Sequence, residues 1–395
     1  MDDSERFSDD EQARIPSSRL ARLSRLGVLA GGVAGGMLAE GARQLAAGKR
    51  PKANELLLTP ANVRRVTEQL AQLRGAAMKV GQLLSMDAGE MLPAELSAIL
   101  ARLRSEAKPM PLSQLAAILE ENWGKGWEQR FRQFSFKPLA AASIGQVHDA
   151  HTRDGRHLAL KIQYPGIRAS IDSDVDNVAT LLRVSGLLPK HLDMRPLLEE
   201  AKQQLQAEAD YRQEAAWMQR YAELLAGAED FSLPAVHEDF STTAILAMDF
   251  MHGVPVESLA GAAQPERDRV VSLLLALLFR EIFEFRLVQT DPNFANYQYD
   301  SAQQRLILFD FGATRAYPQS IVDGYRQLML GALQDDRAQM DAGAAAIGFE
   351  EYIRPEQRRR YWMCFSRAAN PCAMRGLMIL AAASWRRGFG MPVCG

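Results

Sequence analysis

Six short motifs follow one another in a fixed order, and this order constrains the fold of the chain more than any other sequence feature. They are, in order, the small-residue run Ala140–Val147, Lys161 in an apolar strand, a helical segment with Glu208 and Glu214, a strand that ends in Met248-Asp249-Phe250, Asp291 with Asn296, and Asp310-Phe311-Gly312. Each motif alone is weak, because such short patterns arise by chance in many chains. The complete series is improbable by chance, so the series as a whole is the signal.

This is the order of the nucleotide-binding elements in a protein kinase: phosphate loop, strand lysine, helix glutamate, hinge, catalytic loop and metal-binding aspartate. ATP carries adjacent negative charges that a fixed lysine can neutralise, and a buried lysine needs a carboxylate to hold it. Mg²⁺ prefers hard oxygen ligands, which an aspartate and an asparagine supply. The sequence therefore predicts an α+β, protein-kinase-like two-lobed fold that binds ATP or ADP with Mg²⁺.

Four further signatures make the resemblance more specific. They are Lys79-Val80-Gly81-Gln82 (a K-x-G-Q motif), the run AAASIGQVH at residues 140–148, Glu208-Ala209-Asp210 (E-x-D) and Gln289-Thr290-Asp291-Pro292-Asn293 (Q-T-D-P-N). The sequence resembles the UbiB/AarF family of atypical kinases, and its coenzyme Q branch in particular. The resemblance covers roughly residues 15–360. It implies an N-terminal helical extension that carries K-x-G-Q, and an alanine-rich loop in place of the kinase glycine-rich loop.

The resemblance assigns a role to each matching residue. The expected catalytic residues are Asp291, Lys161, Lys79 and Gln82. The expected nucleotide-binding residues are Ala140, Ala141, Ala142, Ser143, Lys161, Glu208, Glu214, Asp249 and Met251. The expected Mg²⁺ ligands are Asn296 and Asp310. Glu214 is the expected partner of Lys161, with Glu208 as the alternative, and Lys79 is expected to pair with Glu208.

Without the resemblance, several of these residues have simpler interpretations. Lys79 would be a cation on a helix surface and Gln82 a solvated side chain. Asp210 and Glu214 lie four residues apart, which suits a solvent-exposed helix face. The histidines show no metal-ligand spacing along the sequence, so we interpret them as structural; the set considered is His148, His157, His191, His237 and His252.

Periodicity predicts the main helices and strands around these motifs. The predicted helices are segments within residues 60–105, Leu112–Trp123, Met194–Leu225 as one long helix, and Arg269–Glu284. The predicted strands are Ser143–Ala150, His157–Tyr164, Thr243–Phe250 and Leu306–Phe309. An Asp-Gly pair at Asp154-Gly155 predicts a hairpin turn between the first two strands.

Composition and the positions of proline and glycine residues predict five segments along the 395 residues. They are an N-terminal tail with a glycine-rich membrane-proximal segment (1–50), the helical K-x-G-Q extension (51–111), a kinase-like N-lobe (112–250), a kinase-like C-lobe (251–363) and an atypical tail (364–395). The three cysteines, Cys364, Cys372 and Cys394, all lie in this last segment. We hypothesise that the native reading ends near residue 363 and that the tail is a frameshift or an unusual truncation.

The N-terminal tail contains fourteen apolar or glycine residues, Leu26–Ala39, flanked by arginines and lysines. A helix of that length spans about 21 Å, short of the ~30 Å hydrocarbon core. Gly27, Gly31 and Gly35 would place small residues on one helix face, which suits membrane insertion or helix pairing. A flexible linker explains the same composition. The acidic N-terminus resembles neither a secretory signal nor a mitochondrial transit peptide, which favours a bacterial source.

The net charge of −2 gives no reason to expect nucleic acid as a partner. The resemblance implies a membrane-associated ATPase that supports ubiquinone biosynthesis on the cytoplasmic side of the bacterial inner membrane, either peripheral or shallowly inserted. Anionic lipids and hydrophobic quinone precursors are the expected partners; other ubiquinone-biosynthesis proteins and a second copy of the chain are further candidates. Two alternatives stay open: a protein or small-molecule kinase, and a nucleotide-gated scaffold for quinone-pathway enzymes.

Overall fold

The computed structural model describes residues 73–88, 109–184, 193–291 and 293–349, with scattered positions between residues 35 and 99. These residues form two compact units. Unit 1 contains the described residues up to Ala216 together with Ala235–Phe250. Unit 2 contains Trp217–Pro234 together with the described residues from Met251 onward.

Helices and strands alternate along the described chain. The helices are α1 (Arg74–Ala88), α2 (Leu112–Trp123), α3 (Ile167–Val184), α4 (Arg195–Glu208), α5 (Tyr211–Leu224), α6 (Gln264–Phe279), α7 (Gln319–Gln334) and α8 (Arg337–Ala346). The strands are β1 (Phe131–Phe134), β2 (Ala140–Ala141), β3 (Gly145–Thr152), β4 (His157–Gln163), β5 (Phe231–Ser232), β6 (Ile245–Asp249), β7 (Val254–Pro255), β8 (Leu287–Gln289), β9 (Tyr297–Asp300), β10 (Arg305–Leu308) and β11 (Thr314–Ala316).

Unit 1 is built on an antiparallel sheet with the strand order β1-β3-β4-β6, in which β2 also pairs with β3. The hairpin of β3 and β4 has the predicted Asp-Gly turn, and its register ends with His151 opposite His157. Gly155 has a φ of 94°, a conformation that glycine adopts without steric cost. The strand bounds differ from the predicted ones by one or two residues, and both strands are confirmed.

The core of unit 1 follows from the apolar run of β4. Leu158, Leu160 and Ile162 lie on one face of β4 and have no exposed surface, as expected for the core side of a central strand. Aromatic rings from α2, from β1 and from the loop before β6 pack over this region; Trp123 lies 5.3 Å from Phe131 between ring centroids. Helix α2 has the predicted bounds.

The predicted single helix Met194–Leu225 is wrong: the structure contains two helices, α4 and α5, separated at residues 209–210. Local periodicity could not reveal the break, because tertiary contacts cause it. The Ala209 carbonyl accepts a hydrogen bond from Gln163 Nε2, and the Tyr211 N–H donates to the Thr243 carbonyl. Asp210 Oδ1 then accepts two N–H groups at the start of α5, which is the function of a helix N-cap.

Unit 2 contains a sheet with the strand order β5-β10-β9-β7 and a two-stranded ribbon of β8 and β11. The predicted strand Leu306–Phe309 is β10, shifted by one residue. The predicted helix Arg269–Glu284 is α6, which begins earlier and continues into a wider, π-type turn at Arg280–Phe285. The wider turn places Glu281 in the interior, with 3% of its surface exposed.

Among the residues that the structure describes, no helix is both long and apolar enough to cross a bilayer. The predicted membrane-proximal segment Leu26–Ala39 lies outside the described residues, apart from Gly35. The predicted tail, residues 364–395, also lies outside them. Both interpretations therefore stay predictions, as do the domain bounds.

The described helices and strands agree with the predicted α+β fold. Helix α1 carries the K-x-G-Q motif and packs against α3 and α4 within unit 1.

Candidate functional site

Lys161 and Glu214 form a buried ion pair inside unit 1. Lys161 Nζ lies 2.8 Å from Glu214 Oε1 and 3.0 Å from Oε2, so the ammonium group donates to both carboxylate oxygens. The two side chains are 9% and 2% exposed. A carboxylate at this depth needs a cation, because an isolated buried charge is strongly disfavoured. The predicted choice of Glu214 as the partner is confirmed, and a solvent-exposed helix face is the wrong interpretation for Glu214.

Several elements fix the position of this ammonium group. Lys161 lies on β4, opposite Val147 of β3 and Leu246 of β6. Its Nζ atom is 5.2 Å from the centroid of the Tyr211 ring, a cation–π contact. Glu214 lies in the first turn of α5, where the helix dipole favours a negative charge. These contacts hold the cation in place.

A second buried pair joins Lys79 and Glu208, as the resemblance implied. Lys79 Nζ lies 2.6 Å from Glu208 Oε1, and the side chains are 3% and 10% exposed. The Ser143 hydroxyl donates to Glu208 Oε2 at 2.6 Å. The interpretation of Lys79 as a surface cation is therefore wrong. This pair connects α1, the end of α4 and the small-residue loop at residues 140–144.

The small-residue loop is a short hairpin. Ala140 and Ala141 form β2, which pairs with β3 and is exposed to solvent. The Ala142 N–H donates to the Gly145 carbonyl at 2.9 Å, and this closes the turn around Ser143. Small side chains leave the backbone N–H groups of such a loop accessible to an anion.

Helix α1 touches this loop through its backbone. A Cβ atom on Gly75 would lie 2.7 Å from the Ser143 carbonyl oxygen, so only glycine fits at this crossing. Gln82 lies three residues after Lys79 on the same helix and is half-buried. The K-x-G-Q helix is therefore packed directly on the alanine-rich loop.

Asp249 ends β6 and uses its carboxylate for local contacts. One oxygen lies 2.7 Å from His237 Nε2, and the other accepts the N–H of Ala235 at 3.2 Å. The Phe250 N–H donates to the His157 carbonyl. The expected adenine contact would therefore come from backbone groups rather than from the Asp249 carboxylate. Met251, the other expected hinge residue, is half-buried and opens unit 2.

In unit 2, Asp291 and Asn296 lie in one tight loop. The Asn296 side-chain amide donates to the Asp291 carbonyl at 3.2 Å. The Asn293 N–H donates to the same carbonyl at 2.8 Å. The loop is tied to the Asp-Phe-Gly segment, because the Phe309 N–H donates to the Asn296 carbonyl. Within unit 2, Asp291 and Asn296 are thus held close to the Asp-Phe-Gly segment that contains Asp310, the third predicted polar residue.

That third residue, Asp310, has a left-handed backbone with φ of 54°. Few residues other than glycine adopt this conformation, and those that do concentrate at functional sites. Its Oδ1 atom accepts the N–H of Gly312 at 3.3 Å. The next residue, Phe311, is buried and lies 4.8 Å from the ring of Tyr221. The buried phenylalanine therefore anchors the turn that presents Asp310.

Gln289 supports this turn, a role that the sequence did not predict. Its Nε2 donates to the carbonyls of Phe309 and Asp310, and its Oε1 accepts the hydroxyl of Tyr297 at 2.8 Å. Gln289 opens the Q-T-D-P-N motif, so its motif position was the available signal. Sequence alone could not show that its partners are carbonyls about twenty residues away.

A buried acid lies behind this network. Glu281 accepts the hydroxyl of Tyr221 at 2.8 Å and also accepts the backbone N–H of Gln289. Burial raises the pKa of Glu281 to about 7, in spite of these two hydrogen bonds. Burial, together with the nearby Glu281 carboxyl group, also raises the pKa of Tyr221. No sequence pattern marked Glu281 as a buried residue. Its burial results from the wide turn after α6, which local periodicity does not predict.

Replacing Glu281 with glutamine is expected to stabilise the protein above pH 7 and to have little effect near pH 4.5. The folded-state pKa of about 7 lies above the usual value of 4.5. Folding therefore favours the protonated acid, and its contribution is complete below pH 4.5 and is lost as the pH rises to 7. The glutamine oxygen can still accept the Tyr221 hydroxyl. We expect a gain of about 2–3 kcal/mol at pH 8, measured by urea unfolding at both pH values.

Glu257→Gln is the matched control, because Glu257 is an exposed carboxylate of the same unit. It should change stability by less than about 0.5 kcal/mol at either pH. A stability difference between Glu281→Gln and wild type that does not depend on pH would contradict the assignment.

The comparison with protein families supports the kinase-like interpretation of this order of residues. Residues 102–343, more than half of the chain, match the model of the ABC1 atypical kinase-like domain. The chain is similar to a solved structure of Rv3197 from Mycobacterium tuberculosis in complex with erythromycin, with 28% identity, a TM-score of 0.50 and coverage of 70% of each chain.

Two curated relatives are similar over most of this chain. The atypical kinase COQ8B, mitochondrial, of Rattus norvegicus is 40% identical over 82% of this chain and 62% of its own length. The atypical kinase COQ8, mitochondrial, of Saccharomyces cerevisiae is 37% identical over 83% of this chain and 65% of its own length. The chain thus spans less than two thirds of these relatives. The resemblance to the UbiB/AarF atypical kinases and the predicted kinase-like fold are confirmed, and the chain belongs to the ABC1 atypical kinase-like family.

Proposed function

We propose that this protein binds ATP with Mg²⁺ and hydrolyses it. The observation that carries the proposal is Lys161, a buried cation held by both oxygens of Glu214. Burying such a pair gives little net stability, so its position needs another explanation. A fixed ammonium group on a strand suits the α- and β-phosphates of a nucleotide, as in kinases. The exposed small-residue loop supplies backbone donors for the same phosphates.

The residues of unit 2 fit a magnesium ion. Asp310 offers a carboxylate oxygen, and Asn296 offers an amide oxygen while its nitrogen donates to the Asp291 carbonyl. Both are hard oxygen donors of the kind that Mg²⁺ prefers. When bound, Mg²⁺ neutralises charge on the phosphate oxygens. The backbone conformation of Asp310 is strained. Such strain fits a residue whose role is to present a metal ligand rather than to stabilise the fold.

Asp291 would orient the nucleophile and accept its proton. In hydrolysis, a water oxygen bonds to the γ-phosphorus while the bond from that phosphorus to the β–γ bridging oxygen breaks. The proton passes from water to the Asp291 carboxylate. The products are ADP and inorganic phosphate.

The packing of α1 supports water, rather than a protein, as the acceptor. A protein kinase needs an open acceptor site, which would require the K-x-G-Q helix to lie elsewhere. Here Lys79 is held by Glu208, and Gly75 contacts the Ser143 carbonyl. In unit 1, α1 is packed on the phosphate loop, and the family resemblance implies that this helix restricts protein substrates.

The pathway role rests on the resemblance to the coenzyme Q branch and on the COQ8 relatives. We propose that turnover supports ubiquinone biosynthesis at a membrane, with anionic lipids and hydrophobic quinone precursors as partners. We also propose a peripheral or shallowly inserted position on the cytoplasmic face of a bacterial inner membrane. Association with other ubiquinone-biosynthesis proteins or with a second copy of the chain belongs to the same proposal.

Phosphate release from ATP by purified protein tests the proposal, with and without anionic liposomes. Asp310→Asn is expected to reduce Mg²⁺-dependent release to background, because an amide replaces the charged ligand. Asp268→Asn, an exposed aspartate on α6, is the matched control and should retain wild-type release. A rise in release with liposomes would support the membrane role.

Three outcomes separate the alternatives. Wild-type activity in Asp310→Asn would contradict the metal role. Nucleotide binding by thermal shift without phosphate release, together with function in cells that survives Asp291→Asn, would favour the scaffold. Transfer of the γ-phosphoryl group to an added protein or small molecule at a rate above hydrolysis would favour a kinase.

A further inference from the structure

Two histidines and an aspartate meet on the hairpin of β3 and β4. His157 Nε2 lies 3.1 Å from Asp149 Oδ2, and His151 Nε2 lies 3.7 Å from Asp149 Oδ1. The three ligand atoms lie within 4.8 Å of one another. In the described part of the chain, these three imidazole and carboxylate side chains are close enough together to hold a metal ion.

We propose that Asp149, His151 and His157 form a binding site for a divalent transition metal, of which Zn²⁺ is the best match. Two imidazole nitrogens and one carboxylate oxygen are a common donor set for Zn²⁺. Ligand atoms about 2.0–2.1 Å from a tetrahedral ion lie ~3.3 Å apart, because the angle between bonds is near 109°. The two aspartate–histidine separations, 3.1 and 3.7 Å, bracket this value. The two imidazole rings are stacked with centroids 4.0 Å apart, so the more exposed His151 ring would turn out of the stack to direct its nitrogen at the same ion.

The hairpin register explains why these residues converge. His151 lies directly opposite His157, so their side chains share one face of the sheet. Asp149 lies two residues before His151 on β3, and residues two apart on a strand point to the same side. The three are separated by up to eight positions in sequence, which is why linear spacing revealed no site. This proposal revises our interpretation of His157 as a structural residue.

The surroundings favour an occupied site that retains access to water. The side chains of Asp149, His157 and His151 are 24%, 30% and 41% exposed, so a water molecule can complete the coordination. The imidazole of His157 stacks on the ring of Phe250, with centroids 4.1 Å apart and planes 6° apart. This stacking restricts the ring before a metal binds, which lowers the cost of ordering it.

The proposed site shares no residue with the proposed magnesium site of unit 2. All three ligands belong to unit 1 and lie on the same face of the sheet as Lys161. Lys161 lies four positions after His157, about 13 Å along the strand. Because its donors include two nitrogens, the site should prefer Zn²⁺, Co²⁺ or Cu²⁺ to Mg²⁺.

The test uses untagged full-length protein without nucleotide and measures Zn²⁺ by competition with a chromophoric chelator. The background is the variant Cys364→Ser, Cys372→Ser, Cys394→Ser, so that no thiol contributes. We expect saturable binding of about one Zn²⁺ per chain. His151→Ala and Asp149→Asn should each weaken it at least about tenfold, because each removes a ligand. Co²⁺ should give a visible absorption band that His157→Gln abolishes.

His237→Gln is the matched control, because His237 is another unit 1 histidine paired with an aspartate, Asp249. It should leave Zn²⁺ affinity and the Co²⁺ band unchanged. The proposal is overturned by the absence of saturable binding, by binding that neither His151→Ala nor Asp149→Asn weakens, or by binding that disappears in the cysteine-free background. Thermal unfolding of each variant confirms that it is folded. His151 and Asp149, which are only partly buried, provide two independent tests if His157→Gln fails to fold.

Discussion

Glu214→Ala is expected to destabilise unit 1 by about 3–5 kcal/mol, because it leaves the ammonium group of Lys161 buried without its carboxylate. The carboxylate receives both short contacts from Lys161, and 2% of its side chain is exposed. The cation–π contact to Tyr211 remains, but at about 2 kcal/mol it does not replace a charged partner. Urea unfolding followed by circular dichroism measures the loss. Under the proposed function, ATP turnover should also fall to background, because Lys161 is no longer held in place.

A double variant separates the cost of a lone charge from the value of the pair. Lys161→Met with Glu214→Leu removes both charges and should recover most of the stability, although not ATP turnover. Glu223→Ala is the control on the same helix, since Glu223 forms an exposed pair with Arg220. It should cost less than about 0.5 kcal/mol. A loss in Glu214→Ala as small as in Glu223→Ala would show that the Lys161 pair is not energetically coupled as described.

Gly145→Ala is expected to destabilise the protein by about 3 kcal/mol. This is the upper end of the usual cost of adding atoms to a well-packed site. A Cβ atom here would overlap the Ile162 carbonyl oxygen and lie 3.0 Å from the Tyr211 hydroxyl. The nearest obstacle is backbone of the paired strand β4, which cannot rotate away as a side chain can. Gly145 also closes the turn of the small-residue loop through the Ala142 N–H. The variant should therefore lose nucleotide affinity as well as stability, measured by thermal shift with and without ATP.

Gly261→Ala is the matched control, because no heavy atom lies within 4 Å of the position a Cβ would occupy there. It should change the free energy of unfolding by less than about 0.5 kcal/mol. Near-wild-type stability in Gly145→Ala would mean that β3 and β4 can separate at this point, contrary to the described register.

Much of the fold could be predicted from sequence because the informative signals are local. The β3–β4 hairpin follows from two apolar strands around an Asp-Gly turn, and α2 follows from apolar spacing with Pro111 before it. Lys161, Asp291 and Asp310 indicated the kinase-like family for two reasons. Nucleotide and metal binding need these residue types, and their order along the chain is that of protein kinases. The partners of Lys161 and Lys79 were also predicted, although only from the resemblance.

The errors arose where contacts between distant segments decide the outcome. The helix break at Ala209 follows from hydrogen bonds to Gln163 and Thr243, which periodicity does not report. The interior position of Glu281 follows from one wide turn after α6. Gln289 reaches the carbonyl of Asp310 only after the chain has returned through β9 and β10.

The sequence by itself determined which residue types are present and in what order, and these define the family, because chemistry restricts the identity of phosphate and metal ligands. The tertiary structure decided which side chains meet. It pairs Lys161 with Glu214 across 53 positions, as the resemblance implied, and it alone shows that His151 and His157 meet across a hairpin. The physical reason is that an ion pair or a metal site depends on distances of a few ångströms. Strand register and helix packing set those distances, and linear spacing does not contain them.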